Sequence, residues 1–427
     1  MSELSIGTTV TLAGGGSAKV KKELGRGGQG IVYLVNVNGE DKALKWYINA
    51  PNRDFYKNLQ NNIRKGAPSP AFLWPEYLTD FQNGSFGYVM KLRPQNYYEF
   101  GHFLLAKVKF KSFDAIFTAA MKICDGFMML HRFGFSYQDL NDGNFFIDPQ
   151  SGDVLICDND NVMPQGEKSG IMGKARYMAP EIVNGGIPDK YSDRFSLSVI
   201  LFMLFYLNHP FEGAKVAACP CLTESFEKRF YGSEAIFIYD EKDNTNLPVK
   251  GVHQNVIKRW PVLPQILRDT FTKQFSQECL KNPKERLIEQ EWKKIICSLR
   301  DQLICCPHCK GETFAKVNQS VCKCINCGKE IDTSLCLAVN NRVIPLSLGT
   351  KVYISDEDTP SALVAKDSKG FPLLQNNTSN NWYVDTRGGS VKEVIPKGYM
   401  PIISGLKISM KIQGNDIKAE IQNCNNH

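Results

Sequence analysis

The chain has 427 residues, of which 43% are hydrophobic and 22% are charged, and this balance excludes wholesale disorder, collagen-like repeats and small disulfide scaffolds. The length exceeds what one hydrophobic core usually serves and predicts two or three domains. The net charge of +7 is spread along the chain without a basic patch, so we expect neither nucleic acid nor a membrane surface as a partner.

The apolar segments and the cysteines predict a cytoplasmic protein. The longest nearly apolar run, Phe195 to Leu207, is shorter than the about 20 residues of a membrane-spanning helix and predicts a buried core helix. The first residues, MSELSIGTT, lack the basic start and the apolar stretch of a secretory signal. In a reducing compartment we expect the 14 cysteines to be thiols or metal ligands rather than disulfides.

A glycine-rich segment lies in the strand-rich N-terminal region. It has the pattern G-x-G-x-x-G-x-V and contains Gly25, Gly27, Gly28, Gly30 and Val32. Dinucleotide-binding turns share the first six positions, but they lead into a helix. Here β-branched and aromatic residues follow the last glycine, which predicts a hairpin tip folded over phosphates. Lys45 lies in the next apolar run, where it could reach the α- and β-phosphates of ATP; the alternative is a solvated strand lysine.

Three motifs follow in the mainly helical region after residue 110. They are Tyr137-Gln138-Asp139-Leu140-Asn141-Asp142-Gly143-Asn144, then Asp158-Asn159-Asp160, then Ala179-Pro180-Glu181. In order and spacing they resemble the motifs of eukaryotic-like (Hanks-type) Ser/Thr protein kinases of bacteria. The resemblance covers roughly residues 18 to 303 and extends to Asp193, to His209-Pro210-Phe211, and to Arg286 as the expected partner of Glu181.

This resemblance implies an α+β, bilobal protein-kinase fold in residues 1–303, with an N-lobe at about 18–93 and a C-lobe at about 94–303. It implies ATP and Mg²⁺ as cofactors. Asp139 would orient the substrate hydroxyl and accept its proton, and Lys45 would steady the phosphates. Asn144 and Asp158 would hold Mg²⁺. The residues expected to contact the nucleotide are Gly25, Gly27, Gly28, Gly30, Val32, Lys45 and Met90.

The sequence departs from the family pattern in several places. Gln138 replaces the arginine that usually precedes the catalytic aspartate, so control by loop phosphorylation is doubtful. Asn159-Asp160 replaces the Phe-Gly of Asp-Phe-Gly and adds a carboxylate near the metal. No Glu occurs between Glu40 and Glu76, so the usual ion pair from the lysine to the first helix is missing. Three neutral side chains could offer an oxygen to Lys45 instead: Asn58, Gln60 or Asn61.

A further departure concerns a lysine. In the Ser/Thr family a lysine two residues after the catalytic aspartate faces the γ-phosphate, supported by a threonine in a Gly-Thr step before Ala-Pro-Glu. Here these positions are Asn141 and, after Gly173, Lys174, so the two side chains look exchanged. If the family geometry is kept, Lys174 could reach the space left by Asn141 and act in catalysis. The alternative is that the Lys174 side chain is exposed to solvent. Because Asn141 stands where Ser/Thr kinases have a lysine, the substrate hydroxyl could also belong to Tyr rather than to Ser or Thr.

Six of the 14 cysteines lie between Cys305 and Cys327, after a predicted last helix over Glu291 to Leu303. Two C-x-x-C pairs at zinc-ribbon spacing, Cys306 with Cys309 and Cys324 with Cys327, predict a structural Zn²⁺ site, because four thiolates leave no open position for water. Cys305, Cys322 and His308 are spare or alternative ligands. We place the ribbon at 304–333.

Short predicted strands after residue 334 indicate a small all-β domain at 334–427. It resembles a forkhead-associated sandwich but lacks that family's Gly-Arg, Ser and His set for phosphothreonine. The order of kinase, ribbon and β tail resembles bacterial kinases encoded beside a type 2C phosphatase and a von Willebrand A domain protein, which implies these two proteins as partners. We therefore predict a cytoplasmic, Mg²⁺- and ATP-dependent Ser/Thr protein kinase. The alternative is a nucleotide-binding pseudokinase that assembles partners through its ribbon and tail.

Overall fold

A computed structural model describes residues 3–49, 51–82, 84–168, 173–316, 319–386 and 389–424. The chain divides into two units, described here separately. The first comprises Met1–Lys109, Lys122–Val252 and Gln274–Glu289, and the second comprises Phe110–Met121, His253–Lys273 and Gln290–His427.

The first unit begins with an antiparallel six-stranded sheet and one helix. In chain order the elements are β1 (Thr9–Thr11), β2 (Ser17–Arg26), β3 (Gly30–Val37), β4 (Glu40–Tyr47), α1 (Arg53–Lys65), β5 (Tyr77–Leu78) and β6 (Gly87–Lys91). The sheet order is β1-β2-β3-β4-β6-β5. One buried cluster contains Ile31, Val35 and Trp46, and a second joins the sheet residue Tyr88 to Phe55 of α1. Alternating β-branched and aromatic residues therefore give the sheet two buried faces.

The chain then becomes mainly helical, as predicted. The helices are α2 (Phe100–Leu104), α3 (Phe113–Arg132), α4 (Pro180–Val183), α5 (Lys190–Tyr206), α6 (Ala214–Ala217), α7 (Glu224–Lys228), α8 (Gln254–Arg259), α9 (Gln265–Gln274), α10 (Gln277–Lys281) and α11 (Glu289–Gln302). Short strands between them are β7 (Tyr98–Glu99), β8 (Phe135–Ser136), β9 (Phe145–Ile147), β10 (Val154–Ile156) and β11 (Met163–Pro164). Single 3₁₀ turns include Asp142–Asn144 and Asn159–Asn161.

Helix α5 is the buried helix that the apolar run predicted. Its first turn is capped by Asp189, whose carboxylate accepts the amide hydrogens of Tyr191 and Ser192 at 2.8 and 3.0 Å. Every residue from Phe195 to Tyr206 is buried. The helix ends where Leu207 adopts a left-handed conformation with φ of 51°. No helix in the described ranges combines the length and hydrophobicity that crossing a membrane requires.

The second unit contains the strands that follow α11. Two small hairpins are formed by β12 (Leu303–Cys305), β13 (Glu312–Phe314), β14 (Val321–Lys323) and β15 (Glu330–Asp332). The remaining strands are β16 (Leu335–Val339), β17 (Arg342–Pro345), β18 (Lys351–Val352), β19 (Ala362–Lys366), β20 (Pro372–Asn376), β21 (Trp382–Asp385), β22 (Val391–Val394), β23 (Tyr399–Pro401), β24 (Lys407–Ile412) and β25 (Asn415–Asn423).

These ten strands form two antiparallel sheets, ordered β17-β16-β25-β24-β21-β22 and β18-β19-β20-β23. Both sheets contribute to one buried cluster, which includes Trp382 and Ile408 from the first and Val364 and Leu374 from the second. This arrangement is compatible with the predicted all-β domain. The domain limits at 303 and 333 stay predictions.

Candidate active site and cysteine cluster

The glycine-rich segment forms the hairpin between β2 and β3, in agreement with the strand residues that follow it. The Gly27 amide donates to the Gly30 carbonyl at 2.9 Å and closes the tip. A Cβ at Gly30 would lie 2.5 Å from the Trp46 carbonyl oxygen, so this close approach of two strands requires glycine. Gly25 and Gly28 are exposed on the hairpin.

The sheet register brings the hairpin beside Lys45. Gly25 pairs with Val32, Val32 pairs with Lys45, and Lys45 pairs with Tyr88, so these residues form one row across four strands. Met90 lies next to this row, opposite Ala43, and is buried in the cluster beneath the sheet. The predicted nucleotide contacts therefore share one region of the first unit.

The Lys45 ammonium is buried and paired with two carboxylates. Its Nζ lies 2.8 Å from Asp160 Oδ2 and 3.4 Å from Asp158 Oδ1. Burial opposes the charged form of Lys45, but the negative charges of Asp160 and Asp158 outweigh it and raise the lysine pKa. The sequence identified Lys45 and Asp158, but it did not identify Asp160 as the main partner of the lysine.

Helix α1 does not supply the oxygen expected for Lys45. The side-chain amides of Asn58 and Asn62 instead both donate to the Val162 carbonyl, each at 2.9 Å. The expectation that Asn58, Gln60 or Asn61 replaces the missing glutamate is therefore not met by these contacts. The signal that could have found the true partner was an acidic residue at 160 combined with a first helix lacking Glu.

Asp139 follows a short strand and is held by two amide side chains. Asn141 Nδ2 lies 3.4 Å from Asp139 Oδ1, and Asn161 Nδ2 lies 3.4 Å from Oδ2. Burial raises the pKa of Asp139 to about 6, the charge of Asp158 adds to the rise, and the charge of Lys174 opposes it. A carboxylate with a pKa near neutrality is suited to accept a proton. The contact from Asn161 was not foreseen from the sequence.

The two predicted Mg²⁺ ligands, Asn144 and Asp158, lie on neighbouring segments of the site. Asn144 is buried, and its Oδ1 accepts the Asn141 amide hydrogen at 2.6 Å. The Asn144 carbonyl accepts the Cys157 amide hydrogen at 2.8 Å, which ties the first segment to the residue before Asp158. The Asp158 side chain is 47% exposed. Amide and carboxylate oxygens of this kind are the hard ligands that Mg²⁺ takes.

Lys174, which the sequence pairs with Asn141 as an apparent exchange, lies close to Asn141. Its Nζ lies 3.3 Å from Asn141 Oδ1, and its positive charge acts on Asp139. Gly173 allows this approach, because a Cβ there would lie 3.2 Å from both Asp139 Oδ1 and the Gln138 carbonyl oxygen. Lys174 is exposed as a residue, so its role in catalysis stays a prediction.

A buried network supports the segment that carries Asp139, the candidate catalytic residue. Asp193 on α5 accepts the Tyr137 amide hydrogen at 2.7 Å and that of Gln138 at 3.3 Å. His131 Nε2 lies 3.1 Å from Asp193, and His131 Nδ1 lies 2.9 Å from Glu289. These contacts fix the backbone that carries Asp139.

The predicted pair of Glu181 and Arg286 is present. Two parallel hydrogen bonds of 2.7 and 2.8 Å join the guanidinium to the carboxylate. The Arg286 side chain is fully buried, and Arg286 Nη1 also donates to the Tyr191 carbonyl at 3.0 Å. This bidentate pair anchors the Ala-Pro-Glu turn, whose glutamate is Glu181, to the residues that precede α11.

The four predicted zinc ligands converge in the second unit. The Sγ atoms of Cys306, Cys309, Cys324 and Cys327 all lie within 4.8 Å of one another. Cys306 and Cys327 are 3.8 Å apart, and Cys309 and Cys324 are 3.7 Å apart. Four thiolates at about 2.3 Å from a tetrahedral Zn²⁺ have sulfur–sulfur separations of about 3.8 Å, so this donor set fits Zn²⁺.

The pKa shifts of the thiols go in both directions. Burial opposes the thiolate of Cys306, but hydrogen bonds from the Cys309 and His308 amides outweigh it and lower the pKa of Cys306, whereas for Cys309 the Gly311 amide is outweighed by burial and the neighbouring thiols, which raise the pKa. Burial raises the pKa of Cys324, but hydrogen bonds from the Cys327 and Asn326 amides outweigh this effect and lower it to about 7. Among the described residues, the spare candidates Cys305, Cys322 and His308 are not members of this group of converging ligand atoms. His308 Nε2 lies 3.1 Å from the Glu330 carbonyl oxygen.

A sequence model of the family described as Protein kinase domain matches residues 81–294, half of the 427-residue chain. Similar proteins include Protein kinase C delta type of Mus musculus, with 35% identity over 114 residues, 25% of this chain and 16% of the relative. Probable serine/threonine-protein kinase PknB of Bifidobacterium longum (strain NCC 2705) has 30% identity over 95 residues, 21% of this chain and 14% of the relative.

Serine/threonine-protein kinase Sgk1 of Xenopus tropicalis has 28% identity over 102 residues, 23% of this chain and 24% of the relative. The chain thus spans between 14% and 24% of the length of these relatives. The similarity supports the kinase region alone.

Proposed function

The chain belongs to the protein kinase domain family, and from this premise we propose that it transfers the γ-phosphoryl group of ATP to Ser or Thr hydroxyls of proteins. The observation that carries this proposal is the convergence of Lys45, Asp139, Asn144 and Asp158, which lie up to 113 positions apart in the sequence. The names of the relatives, two of which are serine/threonine-protein kinases, support Ser and Thr as acceptors.

In this proposal Asp139 receives the proton of the attacking hydroxyl. Its two oxygens face the amides of Asn141 and Asn161, which hold the carboxylate in one orientation. The substrate oxygen forms its bond to phosphorus while the bond from phosphorus to the β-phosphate oxygen breaks, and the proton passes to Asp139. Phosphoryl transfer depends mainly on positioning and charge, so an oriented carboxylate is the main contribution of this loop.

The cationic side chains of the site would balance the phosphate charge. Lys45 lies in the sheet row that includes Gly25 and Val32 of the glycine-rich hairpin, where it can contact the α- and β-phosphates. Lys174 lies beside Asn141, on the side of Asp139, where negative charge gathers on the transferred group. Asn144 and Asp158 would hold Mg²⁺, which when bound neutralises charge between the phosphates.

Transfer of labelled phosphate tests this proposal. Purified protein is incubated with γ-labelled ATP, Mg²⁺ and a generic protein acceptor, beside Asp139→Ala and Asp158→Ala variants. We expect label on the acceptor or on the protein itself, and little above background with either variant. Equal labelling by all three proteins would remove these aspartates from the reaction. ATP binding without any transfer would instead favour the pseudokinase alternative.

We further propose a structural Zn²⁺ on the four thiolates, a ribbon at 304–333 and an all-β domain at 334–427, each supported by the strand pattern and the sulfur distances. The cytoplasmic location rests on the sequence. The type 2C phosphatase and von Willebrand A domain partners rest on the resemblance in domain order. Affinity capture of each candidate by the full chain tests them.

A further inference from the structure

Asp160 is the most buried carboxylate of the candidate active site. Its residue exposure is 0%, and its Oδ2 lies 2.8 Å from Lys45 Nζ and 2.6 Å from Tyr47 Oη. A buried carboxylate is costly unless it is paired and hydrogen bonded. The lysine ammonium and the tyrosine hydroxyl both satisfy Oδ2, whereas the buried Oδ1 has no hydrogen-bond partner among the described residues. The three side chains form one buried group.

Among the described residues of the site, no other carboxylate anchors Lys45 as closely. The only acidic residue of α1 is Asp54, which is 87% exposed and paired with Lys57 at 3.6 Å. Asp158, the other carboxylate at Lys45, lies farther away at 3.4 Å and is 47% exposed. Asp158 is also the proposed Mg²⁺ ligand, so its oxygens have a second use.

We infer that Asp160 is a positioning residue that holds the Lys45 ammonium in place for the phosphates of ATP. It would do what a glutamate of the first helix does in related kinases, but from the segment that carries Asp158. The inference rests on the proposed function, because it assigns Lys45 to the nucleotide phosphates.

This arrangement has a consequence for helix α1. Its contacts to the segment run through Asn58 and Asn62 to the Val162 carbonyl, without an ion pair to the lysine. The pair of Lys45 and Asp160 therefore includes no side chain of α1, although Phe55 of α1 packs edge-on against Tyr47 with ring centroids 5.7 Å apart. One short stretch of chain, residues 158–160, then carries both the proposed Mg²⁺ ligand Asp158 and the carboxylate that positions Lys45. Two separate elements are not needed for these roles.

A double-mutant cycle between Lys45 and Asp160 tests the inference. The full chain is prepared as wild type, Asp160→Asn, Lys45→Met and the double variant, and kcat, KM for ATP and the ATP dissociation constant are measured for each. Asp160→Asn keeps the shape but removes the charge. We expect it to lower kcat/KM by about 10²-fold, the scale of one lost charge contact, and to add little in the Lys45→Met background.

One further variant separates positioning from folding. Tyr47→Phe removes a hydrogen bond to Asp160 but keeps the ion pair, and we expect a smaller loss of activity. Thermal unfolding of every variant shows whether the loss follows stability. A purely structural Asp160 would lower the melting temperature equally with and without Lys45.

The outcomes distinguish the two claims. Wild-type protein that transfers no phosphate overturns the proposed function, and the same cycle then applies to ATP affinity alone. Additive losses for Lys45→Met and Asp160→Asn, in either turnover or ATP affinity, overturn the inference. A coupled loss supports it.

Discussion

The candidate kinase site and the cysteine cluster are assembled in opposite ways. Lys45 precedes Asp139 by 94 positions and Asp158 by 113 positions, so the lysine meets the two aspartates only when a sheet, a loop and a turn fold together. The four thiolates lie within 22 positions, on two tight loops between short strands. A site built from a short segment can be predicted from spacing alone, whereas a site built from distant segments also needs partners that spacing does not name.

The four clustered cysteines should show the largest effect when substituted, because the hairpins have only a small core of their own. We expect Cys306→Ser to lose the metal and the fold of the ribbon, since structural Zn²⁺ contributes about 10 kcal/mol or more to such folds. Elemental analysis and limited proteolysis measure both. The matched control is Cys305→Ser, which should keep one Zn²⁺ per chain. Metal-free protein with a protease-resistant ribbon would contradict the assignment.

The next largest effect is expected for Lys174, which contacts Asn141 although the two are distant in the sequence. Lys174→Met should lower kcat by about 10²- to 10³-fold, because a charge beside the transferred group is lost. Lys168→Met serves as the control: its Nζ lies 3.3 Å from the Gly185 carbonyl oxygen, and its variant should keep normal turnover. ATP affinity is measured separately. Turnover of Lys174→Met within twofold of wild type would leave Lys174 a surface residue.

His131 contacts Glu289 and also Asp193, which holds the backbone of the segment that carries Asp139. We therefore expect the free energy of unfolding to depend on pH. Burial would lower its pKa, but hydrogen bonds and charges from Asp193 and Glu289 raise it to about 9. Since the unfolded value is about 6.5, the stabilisation is full below about pH 6.5 and is lost as the pH rises through about 9; it amounts to about 3 kcal/mol.

Thermal unfolding between pH 6 and pH 9.5 measures this loss, with His131→Gln as the comparison. We expect wild type to lose more stability over this range than the variant. If both lose the same amount, His131 is not the titrating group.

The smallest effect is a shift in a pH profile. Because the charge of Lys174 opposes the rise in the pKa of Asp139, Lys174→Met should raise that pKa above about 6. The acidic limb of kcat/KM then moves to higher pH, because the protonated carboxyl cannot accept the hydroxyl proton. If the acidic limb of Lys174→Met coincides with that of the Lys168→Met reference, the charge of Lys174 does not affect the pKa of Asp139.

The contrast between a site built from distant segments and a site built from one short segment explains which features could be predicted from the sequence. The hairpin, the buried helix α5 and the pair of Glu181 and Arg286 follow from local patterns and family motifs. The partner of Lys45 did not follow, because nothing in the spacing of Asp160 shows that its side chain turns toward β4. The contact from Asn161 to Asp139 was missed for the same reason: the 3₁₀ turn at Asn159–Asn161 sets its direction.

Protein phosphorylation in trans is the sharpest test of the proposed Ser/Thr kinase activity. Wild-type chain is mixed with excess Asp139→Ala chain of different mass and with Mg²⁺ and ATP, and phosphate on each is located by mass spectrometry. If the account is correct, phosphoserine or phosphothreonine appears on the variant or on an added protein acceptor when wild type is present, and on neither without it. Phosphate absent from all Ser and Thr residues, or present only on Tyr, would contradict it.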